Sequence, residues 1–100
     1  MVFKQNIAHN LPQQEALSRI RKTFTRLRLE QKGNISGIKE DWQNETGTFQ
    51  FTALGFTVSG ALTVHPSIVE INAKVPFAVF LFRSKIKQII NEHAKELLAE

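Results

Sequence analysis

A chain of 100 residues, 42% hydrophobic and 22% charged, has the usual size of one globular domain with one core, far from the polar signature of disorder. Thirteen Lys and Arg against nine Asp and Glu give a formal charge of +4, and there is no cysteine; disulfides, thiolate catalysis and cysteine-bound zinc are thereby excluded. No stretch approaches the roughly 20 apolar residues of a membrane span, and the first ten residues hold no leader-like apolar run, so a single cytoplasmic domain over 1–100 is the expectation.

In chain order, Phe3, Gln5 and Ile7 alternate with Lys4 and Asn6, which predicts a short edge strand. Pro12 to Lys32 predicts a helix, with Pro12 at its start and Gly33-Asn34 stopping it. Wound at 3.6 residues per turn, Ala16, Leu17, Ile20, Phe24, Leu27 and the stem of Gln31 share one apolar face.

From Ile38 the period becomes two. Ile38, Glu40 and Trp42 alternate with polar residues, Asn44-Glu45-Thr46-Gly47 turns the chain, and Phe49, Phe51 and Ala53 resume the pattern, which predicts a hairpin. Phe56 to Val64 and Val69 to Val75 read as two more strands, with a turn at His65-Pro66-Ser67 and a bulge or bend suggested by Gly55 and Gly60. Beyond Pro76 a helix is predicted to about Ala99, with Val79, Phe82, Ile86, Ile89, Ile90, His93 and Leu97 on one face. The sum is a two-layer α+β fold: a four- to five-stranded antiparallel sheet with two helices on one face, in the order β-α-β-β-β-β-α.

Candidate chemistry is sparse. His9, His65 and His93 are far apart, share no metal-ligand spacing and read as structural. Glu40, Asp41 and Glu45 read as solvated hairpin carboxylates, Asn34-Ile35-Ser36 and Asn44-Glu45-Thr46 as turns rather than glycosylation sites, and no serine has a nucleophile-elbow context. No enzyme activity, cofactor or metal is expected. Two surfaces remain. Arg19, Arg21, Lys22, Arg26, Arg28 and Lys32 against Glu15 and Glu30 put the whole net charge on the first helix, on the face opposite its apolar stripe; that face suits an anionic partner, although no aromatic residue interleaves the cations as a nucleic-acid platform would need. The second is Val75-Pro76-Phe77-Ala78-Val79-Phe80-Leu81-Phe82, eight residues without a polar side chain. With Val79 and Phe82 facing the core, Phe80 and Leu81 are rotated away from it, so Phe77, Phe80, Leu81 and Phe82 form a candidate apolar contact surface.

The pattern His9-Asn10-Leu11 with Glu15-Ala16, Trp42 ahead of Phe49 and Phe51, GFTVSGALTV from Gly55 to Val64, and VPFAVFLF leading into KIKQII resembles the polyhydroxyalkanoic acid system proteins, a family named for its genomic setting. The resemblance implies an accessory role in polyhydroxyalkanoate metabolism and assigns no catalytic residue. The leading expectation is a non-enzymatic binding or accessory protein whose apolar junction meets an apolar surface, a protein partner or a second copy. A small carrier gripping an acyl-type ligand between helices and sheet is the alternative, and nucleic-acid binding through the first helix ranks below both.

Overall fold

The computed structural model describes residues 1–30 and 35–100. Five strands, β1 (Val2–Ala8), β2 (Ile35–Gln43), β3 (Thr46–Ala53), β4 (Phe56–Val64) and β5 (Ile68–Lys74), form one antiparallel sheet in the order β1-β5-β4-β3-β2. The helices are α1 (Gln13–Glu30), α2 (Phe77–Phe80) and α3 (Arg83–Leu97). The expected α+β architecture is therefore present, with five strands. The predicted stop at Gly33-Asn34, together with Gln31 and Lys32, lies outside the described residues.

Turn chemistry sets the meander. Gln43 pairs with Thr46, so Asn44-Glu45 alone make the first turn, with Asn44 in the left-handed region at φ 55°. The second hairpin closes Ala53 onto Phe56 through Leu54 and Gly55, both left-handed at φ 52° and 81°, the two-positive-φ turn whose twist matches paired strands. Gly55 is thus a turn residue, and Gly60 sits in unbroken register between Phe49 and Ala73. The bulge lies elsewhere, between Ser36 and Lys39 at Gly37, φ 61°.

Period-two burial gives the sheet one helix-covered face. Across it, Ile7, Val69 and Val64 line up, then Gln5, Ile71, Leu62, Gly47 and Trp42, then Phe3, Ala73, Gly60, Phe49 and Glu40. The Trp42 ring lies over its partner Gly47, where an added Cβ would come 2.7 Å from the ring. One core cluster joins Ile7, Leu11, Ala16, Leu17, Ile20, Leu62, Val64, Val69, Ala94 and Leu98; a second joins Phe3, Val58, Ala73 and Val75. The opposite face of the sheet carries Lys4, Asn6, Thr48, Ser59, Thr63, Asn72 and Lys74 and has no helix over it.

The helices meet at one end. Arg19 of α1 donates from Nη1 to the carbonyls of Leu97 (3.0 Å) and Ala99 (2.7 Å) at the end of α3. Farther along α1, Phe24 packs on Trp42 and Phe49 and Arg28 approaches Glu40 of β2. The other end of α3 lies over β1, where Gln5 Nε2 donates to the Lys87 carbonyl (2.9 Å). β1 and β2 are the two edges of the sheet, four strand spacings or about 19 Å apart. The helices therefore diverge and leave part of β3 and β4 uncovered between them.

The predicted single C-terminal helix is broken. Its first turn ends at Phe80, and Phe82, with φ −99° and ψ 18°, caps a separate α3. The break changes which residues face inward: Phe82 is 66% exposed instead of buried, while Val79 and Phe80 pack on the second core cluster. On α3, Ala94 rather than His93 is the buried residue, and Ile89 is 43% exposed. On α1, Leu27 is 41% exposed and not in the buried core.

Candidate functional site

Where the helices part, an apolar cleft of about 560 Å³ opens over the sheet. Its floor is Phe49 and Phe51 of β3, Phe56 and Val58 of β4, and Ile71 and Ala73 of β5; its wall is Val79, Phe82, Ile86 and Ile90. Local sequence makes the hollow. In the row Phe3-Ala73-Gly60-Phe49 the small Ala73 lines the cleft along with the two phenylalanines, so the floor dips between rings. Phe49 and Phe51 stack at 6.1 Å, and Leu54 and Ala53 of the β3–β4 hairpin close one end.

Almost every atom exposed in the cleft is carbon. A site of this volume is of drug-like or acyl-chain size, but such sites ordinarily carry a few placed polar groups. Among the described residues its lining offers a bound molecule no acid, base or nucleophile, only shape and hydrophobic contact.

The four junction residues divide. Phe82 lines the cleft; Phe77 and Leu81, 65% and 60% exposed, stand outside it as a rim. Phe80 is half-buried, with the Arg83 guanidinium 4.6 Å from its ring centroid and Arg83 Nη1 donating to its carbonyl. Sequence reading missed Phe49, Phe51, Phe56 and Val58 as candidates. The available signal was three phenylalanines at core-facing positions beside a hairpin tip, more bulk than two short amphipathic helices can cover.

The basic face is thinner than its sequence suggests. Besides the α3 carbonyls, Arg19 holds Glu15 at 2.9 Å; Arg21 lies over the Trp42 ring at 5.6 Å; Arg28 leans to Glu40, 4.0 Å away. Lys22 and Arg26 are left on the outer face, where no carboxylate among the described residues lies within ion-pair distance. Glu40 is not a solvated turn carboxylate either: its side chain is 10% exposed beneath α1, with Oε2 lacking a hydrogen-bond partner.

The histidines stay apart. His9 is buried at the end of β1, its two ring nitrogens occupied by main-chain groups. His65 Nε2 lies 3.0 Å from Glu70 Oε1, and this hydrogen bond, with one from Asn72, holds the Glu70 carboxyl below its ordinary value of 4.5. A depressed carboxyl stabilises the fold above its unfolded pKa and loses that contribution as pH falls through the folded one. The stability difference between wild type and Glu70→Gln, followed by urea melts across pH, is accordingly expected to be full above the ordinary carboxylate range and to vanish below it; a difference that persists into strong acid would contradict the assignment. Among the described residues no three His, Cys, Asp or Glu side chains gather into a metal-binding group, and no helix is long and apolar enough to cross a membrane.

A family model described as putative polyhydroxyalkanoic acid system protein matches residues 5–98. The chain belongs to this family. The match covers β2 to β5, all three helices and the second half of β1, so the basic helix and the cleft, apart from Phe3, lie within the family unit. No curated protein and no solved structure matches the chain.

Proposed function

We propose that this member of the polyhydroxyalkanoic acid system family is a non-enzymatic accessory protein that holds an aliphatic chain, of an acyl group or of the polyester itself, in the cleft between α3 and the sheet. The observation that carries the reading is the carbon-lined hollow over β3 and β4, continuous with Phe82 at its lip. Each large apolar side chain left in water forgoes about 1.5 to 3 kcal/mol of burial, and an aliphatic chain recovers part of that by covering the floor and Phe82 together. The absence of a polar anchor in the lining fits a ligand recognised by its hydrocarbon, with its polar end left in water.

Titration with a fluorescent twelve-carbon fatty acid tests the reading. Saturable binding is expected, weakened about tenfold or more by Ile86→Glu, which sets a charge against the chain, and by Val58→Phe, which fills the floor; a tenfold loss corresponds to about 1.4 kcal/mol. Absence of saturable binding, or affinity indifferent to both substitutions in folded protein, would remove the proposal.

A further inference from the structure

The exposed apolar residues are not scattered. Pairing of Val2 with Lys74, Ser59 with Lys74 and Ile35 with Ala53 places the start of β1, the end of β5, the β3–β4 hairpin and the start of β2 at one end of the sheet. α2 leaves β5 at that end, and α1 finishes at Glu30, five residues before Ile35 and so within about 17 Å of it along the chain. Among the described residues, every large apolar side chain with substantial exposure belongs to this pole except Ile89; the most exposed are Leu29 (77%), Leu54 (70%), Phe82 (66%), Phe77 (65%) and Leu81 (60%).

Charge follows the same axis. The pole carries Arg26, Arg28, Lys39, Lys74, Arg83 and Lys85 against Glu30 and against Glu40, whose side chain is 10% exposed and lies 4.0 Å from Arg28. Glu15, Glu45, Glu70, Glu92, Glu96 and Glu100 lie toward the opposite end, where β1 leaves the sheet, α1 begins and α3 finishes. Leu54 adds a local anomaly. It is a leucine held at φ 52°, a conformation that disfavours a branched apolar residue, and it projects into water at a hairpin tip where Asn or Gly would relieve both costs. A strained, exposed leucine at the centre of an apolar pole is a feature the fold itself does not need.

We infer that this pole is a docking surface for an anionic lipid layer, with Leu54, Phe82, Phe77 and Leu81 entering the interface and Arg26, Arg83 and Lys85 among the headgroups. Charge complementarity selects this occupant: a ring of cations around apolar tips matches a negatively charged amphiphile interface, where each Lys or Arg near the surface adds attraction and apolar side chains insert at the acyl boundary. A neutral apolar partner would leave the cations without a counterpart, and a second copy would set like charges against each other. Leu54 and Phe82, which line the cleft, both belong to this pole. The inference does not depend on the cleft holding a ligand.

Vesicle flotation provides the test, using phosphatidylcholine alone and phosphatidylcholine with about one-third phosphatidylglycerol. Binding is expected to the anionic vesicles only, weakened about tenfold or more between about 0.1 and 0.5 M salt. Arg26→Glu with Lys85→Glu is expected to reduce it by about tenfold or more, as is Phe82→Asp. Leu54→Asn supplies a signature that no structural role predicts: a raised urea midpoint together with weaker vesicle binding. Val58→Phe, which fills the cleft, is expected to leave vesicle binding intact, so loss of fatty-acid binding and loss of docking are separable. Equal binding to neutral vesicles, no binding to either, or a concentration-dependent dimer abolished by Phe82→Asp in protein that ignores vesicles would overturn the inference.

Discussion

Gly60→Ala is expected to cost about 3 kcal/mol or more, a large share of the 5–15 kcal/mol that holds a domain of this size together. Gly60 faces the helices in mid-strand, and a Cβ there would run into the Asn72 carbonyl oxygen and lie 2.7 Å from Ala73 Cα. Both obstacles are main chain of the paired β5, so neither can swing aside as a side-chain tip would. Relief requires the central β4–β5 ladder to open, and that ladder underlies both core clusters, since Leu62, Val64, Val69 and Ala73 all lie on it. With a urea m-value of about 1–3 kcal/mol per molar, the midpoint should fall by at least about 1 M. An unchanged midpoint would mean that the two strands are not packed as described.

His9→Ala is expected to destabilise by about 2–4 kcal/mol. Leu11 N–H donates to Nδ1 at 3.2 Å, which places the ring proton on Nε2, and Nε2 donates to the His65 carbonyl at 3.0 Å. The main-chain N–H of His9 meanwhile donates to the Ser67 carbonyl at 3.0 Å. One residue thereby ties together the end of β1, the entry to α1 and the β4–β5 turn. Alanine strands the Leu11 N–H and the His65 carbonyl at a site where His9 itself is 6% exposed, and each unsatisfied buried partner costs about 1–3 kcal/mol. His9→Asn, whose amide oxygen can stand where Nδ1 stood, should recover part of the loss. Equal stability of the two variants in thermal melts would show that packing, and not the hydrogen bonds, makes this residue matter.

These two positions show the limits of sequence reading. His9 could be taken as a structural residue before α1, but the partners that make it so lie at His65, across 56 residues of chain. Gly60 carried a glycine signal that suggested a bulge, because sequence shows that a side chain is missing and not which backbone occupies its space. The bulge instead fell at Gly37, in a strand whose first residues, Ile35 and Ser36, lack a clean alternation. The Phe77–Phe82 run was visible as too much apolar surface for one junction. Which of its members faced out depended on the break between α2 and α3, and periodic winding of a continuous helix put Phe82 inward and Phe80 outward, the reverse of their places. On α1, the five cations were legible as a charge excess, whereas the use of Arg19 on the α3 carbonyls and of Arg28 on Glu40 required the neighbours to be in position.

The elements and their order were written in local pattern: period-two runs, period-3.6 stripes and turn residues are local signals, and a sheet with one apolar face flanked by two amphipathic helices has few ways to bury it. The sequence also singled out two surfaces, the cationic face of the first helix and the phenylalanine-rich junction, as candidates. The tertiary structure alone decided where those surfaces lie. The cleft exists because α1 and α3 meet at Arg19 and diverge toward opposite edges of the sheet, and the apolar pole exists because five chain segments remote in sequence end at the same end of it. Angles between helices and coincidences of strand ends follow from packing of the whole chain, and no local pattern encodes them.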